Sequence, residues 1–293
     1  MRVMVFYRFI LFASLATSLT FVSCGNSSES ENTTVIAKDS LAKSDENTDS
    51  LVPSQVHSLP APMQVASAIK KACPTYFEDL LSPLKNETTS DFHKTINLGI
   101  YAVDLGYSNV YDQKQASINY FITAVKLADE LKILGPADPA KIKAFKDNVN
   151  NKDSVTFYTL NSFNNFHENL LLSERTEEAY LILTGSFIEG LYLTTNIQAK
   201  NKEQKLVHLI GEQKLFLEST IAILSNSKDK KEISDLIVKL TDLQTIYNKV
   251  DIKYSEEIQN KKTMQEIVIT DNQLKQIKDK ITEIRNSIIH PKA

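Results

Sequence analysis

The sequence predicts an all-α protein, a multi-helix antiparallel bundle that forms one helical domain behind a flexible linker. Three observations carry that prediction. Apolar residues recur at three- and four-residue steps along most of the chain after residue 60. No segment alternates with period two for long enough to build a sheet. The chain has only seven glycines, and five of them (Gly99, Gly106, Gly185, Gly190 and Gly211) fall inside helical patterns rather than between them.

The elements follow in order. Residues 1–23 read as a secretory signal. Arg2 and Arg8 make a basic start, Phe9 to Phe21 an apolar run of roughly a dozen residues, and Val22-Ser23 a small-residue exit before Cys24. The run is shorter than the about 20 apolar residues of a comfortable membrane span. Residues 24–60 are rich in Ser, Thr, Asn, Asp and Glu and show no apolar periodicity, the signature of a disordered linker. Its acidic side chains (Glu29, Glu31, Asp39, Asp45, Glu46 and Asp49) outnumber Lys38 and Lys43, so the linker is acidic.

Residues 61–293 form the predicted helical domain. Pro62 suits a first helical turn, with Val65, Ile69 and Ala72 behind it and Pro74 as the stop. A short helix is predicted around Thr75–Leu81, then longer ones over Asp91–Tyr111 and Gln113–Ile133, the latter stopped by Gly135-Pro136. Asp138-Pro139 reads as a cap and first-turn proline, and another helix is predicted from Asp153 to Ser173. From Glu177 to Lys200 the pattern is apolar on nearly every side, which predicts a central, buried helix. The last third predicts three helices. The first runs from Leu206 to Leu224, the second from Ile233 through Tyr247 and Val250 to Tyr254, and the third from Thr270-Asp271 to Ile288, with a brief extended piece at Ile267-Val-Ile269 before it.

Glycine inside a helix costs about 1 kcal/mol relative to Ala, so these positions predict close approach of another helix or a ring to the backbone. Cys73 reads as a small buried core residue. With one other cysteine in the chain, neither a disulfide framework nor a cysteine metal site is available when Cys24 is otherwise used.

Composition narrows the function. The chain carries 33 Lys+Arg against 36 Asp+Glu, a formal net charge of −3, and no basic block, so nucleic acid is not an expected partner. The five histidines are scattered without metal-ligand spacing, and no nucleophile elbow, P-loop or dinucleotide glycine pattern occurs. No metal, cofactor or catalytic residue is therefore assigned. Two carboxylates stand out. Asp104 is the only charge between Thr95 and Tyr111, and Glu189 the only one between Ala179 and Ala199. Asn97, Tyr101, Asp104, Ser108 and Tyr111 recur at helical spacing as a polar stripe, with Tyr107 beside it. If the Glu189 helix packs there, with Tyr192, these residues converge on a ligand site or a structural polar network. Such a network must be hydrogen-bonded, and it then sets the register of a bundle.

Two resemblances add to this. Val22-Ser23-Cys24 resembles the bacterial lipoprotein signal, with Phe21 where Leu is usual. It implies acylation of Cys24 as the new N-terminus, and a multiply acylated cysteine is a stable membrane tether. Pro60–Val65, Asn97–Tyr107 with Tyr111-Asp-Gln113, Gly185–Tyr192, and Gln273–Ile277 with Ile281–Arg285 resemble a family of uncharacterised Bacteroidetes-type lipoproteins, with Phe187 where Trp is usual. The family implies an all-helical, exported domain on the outer membrane and no established activity. Asp39-Ser40-Leu41 and Asp49-Ser50-Leu51 resemble the O-glycosylation acceptor pattern of such bacteria, at Ser40 and Ser50.

The expected function is a membrane-tethered helical binding or interaction lipoprotein of the bacterial envelope. It would be exported, anchored through Cys24, and partnered by an envelope protein or a small ligand. One alternative is a hydrolase-like envelope enzyme using Asp104 and Glu189; another is a purely structural lipoprotein. An open cleft at the two carboxylates favours ligand binding or catalysis, and complete burial in paired contacts favours a scaffold.

Overall fold

The computed structural model describes residues 62–84, 90–133, 139–148, 151, 170, 174–227, 229–257 and 262–290. The signal segment, Cys24, the linker with Ser40 and Ser50, and the expected helix over 153–173, except Leu170, lie outside the described residues. The elements are α1 (Pro62–Ala72), a 3-10 turn (Glu78–Leu80), α2 (Asp91–Val110), α3 (Lys114–Glu130), α4 (Pro139–Asn148), α5 (Thr176–Asn201), α6 (Gln204–Leu224), a second 3-10 turn (Ser225–Ser227), α7 (Lys231–Tyr247), β1 (Asp251–Glu257), β2 (Lys262–Val268) and α8 (Asp271–Ile289). The fold is all-α, with one hairpin inserted before the last helix.

α5 is the centre, buried almost continuously from Ala179 to Ile197. α2 packs along it more extensively than any other element. α3 covers α2, α6 and α8 cover α5, α7 lies against α6 and α8, and α1 rests on α2, α5 and α6. Apolar spacing on both sides of α2 and α5 makes this arrangement possible. Among the described residues, three apolar clusters each draw on both helices: Ile100 with Ile188, Val103 with Leu193, and Leu98 with Ile182.

The glycines explain how closely α2 and α5 meet. A Cβ on Gly99 would lie 2.0 Å from the Ile182 carbonyl oxygen, and one on Gly185 would lie 2.0 Å from that of Ile96. The two backbones touch, and Ser186 Oγ donates to the Gly99 carbonyl at 3.2 Å. Gly190 and Gly211 instead face side chains, Val65 and Ile267.

Element ends are secured locally. Thr270 and Gln273 form a reciprocal capping box at the start of α8. Arg175 donates to the Leu131 and Lys132 carbonyls, closing the C-terminus of α3 with a cation and tying it to the start of α5.

Two sequence expectations are corrected here. The short helix expected over Thr75–Leu81 is only the 3-10 turn at Glu78–Leu80. The helix expected to run to Tyr254 ends at Tyr247, and Tyr254 lies in β1, paired with Gln265 of β2. β2 also begins earlier than the extended piece expected at Ile267–Ile269. Tyr247, Val250 and Tyr254 fit a helical step, but Asp251-Ile-Lys-Tyr-Ser255 equally alternates polar and apolar. Pattern alone does not separate the two over so short a stretch.

Candidate functional site

The polar stripe of α2 is entirely inside the protein. Asn97, Tyr101, Asp104, Ser108 and Tyr111 are all buried, and Asp104 and Glu189 both have 0% exposure. The packing of α5 on α2 brings the two carboxylates into one electrostatic neighbourhood, as their spacing allowed.

Glu189 has a partner that sequence reasoning missed. Arg285 on α8 donates from Nε to Glu189 Oε2 at 2.5 Å and from Nη2 to Oε1 at 2.9 Å, a two-pronged, fully desolvated ion pair. Nη2 also reaches the Leu80 carbonyl at 3.2 Å, and the guanidinium lies 3.9 Å from the centre of the Tyr192 ring. Burial works against the charge on Arg285, but Glu189 overcomes it, so its pKa stands above the ordinary value. A signal for Arg285 existed. The chain has four arginines, and this one sits between Ile281 and Ile288 on the apolar face of its helix. An arginine there, in a chain that otherwise uses lysine, points to a buried fork.

Asp104 is held differently. Its Oδ2 accepts from the Ser82 backbone N–H at 3.1 Å and from the Ser82 hydroxyl. Its Oδ1 has no hydrogen-bond partner. Burial is the main cause of a strongly raised pKa, with the Glu189 charge adding to it and Arg285 and Ser82 opposing. Asp104 is therefore stabilised as the neutral acid.

Residues 73–84 form a strap across this cluster, held mostly by side chains from the helices. Tyr120 donates to the Ser82 carbonyl at 2.6 Å and Tyr101 to that of Pro83 at 3.0 Å. Tyr107 accepts from the Phe77 N–H at 3.1 Å, and Tyr111 donates to the Cys73 carbonyl. Burial pushes the Tyr101 phenol up to about 12, with Asp104 adding to the shift and Arg285 opposing it. Burial also raises the phenols of Tyr107, Tyr111, Tyr120 and Tyr192.

The expected site thus divides. Tyr101, Asp104, Glu189 and Tyr192 gather around Arg285 and Ser82. Tyr107 and Tyr111 instead anchor the start of the strap, Tyr107 stacked on Tyr76 and Tyr111 tilted against it. Asn97 lies two helical turns from Asp104, its Oδ1 without a partner. Cys73 is buried, as expected of a core residue. No group of His, Cys, Asp or Glu among the described residues is arranged to hold a metal ion, and no described helix is long and apolar enough to cross a membrane.

No protein-family model matches the chain, and neither the curated proteins nor the solved structures contain a significant match. The arrangement defines a class, a helical bundle with a buried carboxylate–arginine cluster, and the functional reading rests on the chain itself.

Proposed function

We propose that this protein is a lipid-tethered, all-helical binding domain of a bacterial envelope, carried on an acylated Cys24 and the acidic linker over residues 24–60. The lipoprotein-like signal supports the tether, and the resemblance to the Bacteroidetes-type family supports the outer membrane. A hydrolase using Asp104 and Glu189 fits poorly. Both Glu189 oxygens are committed to Arg285, both carboxylates are buried, and Asp104 is latched to Ser82.

The purely structural reading takes its support from that same burial. The observation that favours binding is the pair of buried polar atoms without partners on one face of α2, Asn97 Oδ1 and Asp104 Oδ1. A polar network that served only to hold the fold would be satisfied throughout, because each unpaired buried group costs about 1–3 kcal/mol.

The tether is tested by expressing the full chain and Cys24→Ala in a host with a lipoprotein pathway, then measuring acyl-chain labelling and detergent-phase partitioning. Wild type is expected in the membrane fraction with label, and the variant free of both. An unlabelled wild type, or a Cys24→Ala chain that stays membrane-bound, would overturn the reading.

A further inference from the structure

β1 and β2 run antiparallel in an unbroken register, from Asp251 opposite Val268 to Glu257 opposite Lys262. The base of this hairpin is anchored, because Ile267 is buried and packs on Gly211 of α6. Of the two strands, β2 is the one that rests on a helix. Among the described residues, β1 has β2 on one side and no strand on the other. Alternate residues of an antiparallel strand turn their N–H and C=O groups away from the neighbour they already have. Over seven residues, about 23 Å, β1 therefore presents an outer row of backbone donors and acceptors. Neither a proline nor a bulge interrupts that edge. A two-stranded sheet is marginal by itself and is steadied by further strands.

The charges along β1 decide what can pair there. Asp251, Glu256 and Glu257 outnumber Lys253, so the acidic linker over residues 24–60 is repelled from this edge. A second β1 is not, provided that the register is right. A two-fold axis through a continuous sheet keeps every residue on its own face, so the axis must pass through a residue. Centred on Tyr254, the strands would set Asp251 against Glu257 twice. Centred on Lys253 or Glu256, they would set that charge against itself. Centred on Ser255, Lys253 falls opposite Glu257 of the second copy, Glu257 opposite its Lys253, and Tyr254 opposite Glu256, with no like charges facing. The register inside the hairpin extends the pattern, since Lys253 pairs with Glu266 and Glu257 with Lys262. A row across the joined sheet then reads Glu266, Lys253, Glu257 of the second copy and Lys262 of the second copy, alternating in sign throughout.

We propose that the outer edge of β1 is a docking surface for a second copy of this chain, the two hairpins joining into a four-stranded antiparallel sheet with its two-fold axis at Ser255. Pairing satisfies the outward backbone groups of both strands at once. The same charges that match in this register clash in the neighbouring ones, so the contact is specific and closes as a dimer. Antiparallel pairing also sends the two helical bodies to opposite ends of the sheet. The inference goes beyond the tether and binding reading and does not rest on it.

The test uses the full chain in detergent solution, with Cys24→Ala in every sample so that neither acyl chains nor that thiol contribute. Sedimentation over a wide concentration series is expected to show the mass rising from one copy to two. Residues facing each other across an antiparallel pair lie about 4.5–5.5 Å apart at Cα, within the span of a disulfide. Ser255→Cys should therefore give a covalent dimer in high yield on oxidation with copper–phenanthroline. Lys253→Cys should not, because its counterpart lies four residues along the strand, about 13 Å away. A chain that stays monomeric at every concentration overturns the proposal. So does a dimer that Ser255→Cys fails to cross-link, or one that Lys253→Cys cross-links equally well. A monomer whose β1 amides are nonetheless protected throughout from hydrogen exchange would place another segment of this chain on the edge, and would overturn it as well. None of these outcomes touches the Cys24 test, so the tether stands or falls separately.

Discussion

At the scale of single residues, the two isolated carboxylates have opposite roles in the same cluster. Glu189 is charged and paired, so removing either partner strands the other. Arg285→Met and Glu189→Gln are each expected to cost roughly 3–5 kcal/mol in urea unfolding, while the double variant costs far less than their sum. Additive losses would show that the pair is not coupled. Asp104 faces Glu189 on α5, Arg285 on α8, Tyr101 on its own helix, Tyr120 on α3 and Tyr76 on the strap, and its pKa is raised above 3.8 mainly by burial. An acid whose folded pKa exceeds its unfolded value stabilises the fold fully below the unfolded pKa, and that contribution is lost as pH rises through the folded pKa. Wild type should therefore lose stability relative to Asp104→Asn as pH rises from the ordinary carboxylate range through the raised folded pKa. Parallel urea midpoints across that range would refute the assignment. Both carboxylates were legible in the sequence because charge is scarce on apolar helices. Ser82 was not, because nothing local marks a loop serine as the partner of a residue on another element.

At the scale of elements, the contact between α2 and α5 depends on glycine. Alanine at Gly99 or Gly185 would place a methyl group 2.0 Å from a backbone carbonyl oxygen of the facing helix, and neither backbone can turn aside. Each substitution is expected to cost at least the roughly 1–3 kcal/mol of ordinary overpacking, despite the higher helix propensity of alanine. Gly190→Ala meets a Val65 methyl at 2.9 Å, which can shift, and should cost clearly less. Equal losses at the three positions, measured by chemical denaturation, would contradict this account. The close approach was readable from glycines sitting inside helices, but which helix approaches was not, since partner choice depends on the whole packing. The hairpin of β1 and β2 was illegible for a related reason. Its residues satisfy two periods at once, and only its place between α7 and α8, with Ile267 against Gly211, decides between them.

At the scale of the whole molecule, the helices and the strap are held to different extents. α2 and α5 are fixed by buried apolar surface on several sides, whereas residues 73–84 combine a smaller apolar contact, through Cys73, Leu80 and the partly buried Tyr76, Phe77 and Leu81, with hydrogen bonds to side chains. Local opening follows the weakest cooperative unit. Amide hydrogen exchange should therefore be faster at Phe77 and Ser82, whose N–H groups bond to Tyr107 and Asp104, than in the central turns of α2 and α5. Exchange at Ser82 as slow as at Ile188 would mean that the strap opens only with global unfolding.

The sequence by itself determined the helical class, the order and approximate limits of most helices, the central place of α5 and the oddity of Asp104 and Glu189. Each of these is a local property, of spacing, propensity or charge isolation, that a single segment expresses unaided. Only the tertiary structure decided that Arg285 neutralises Glu189, that Ser82 latches Asp104, that Tyr107 and Tyr111 serve the strap, and that Ser108 meets Tyr76. Those are pairings between residues distant in sequence. They exist because burying α5 on all sides forces whichever polar groups lie on the surrounding elements to meet where water is excluded.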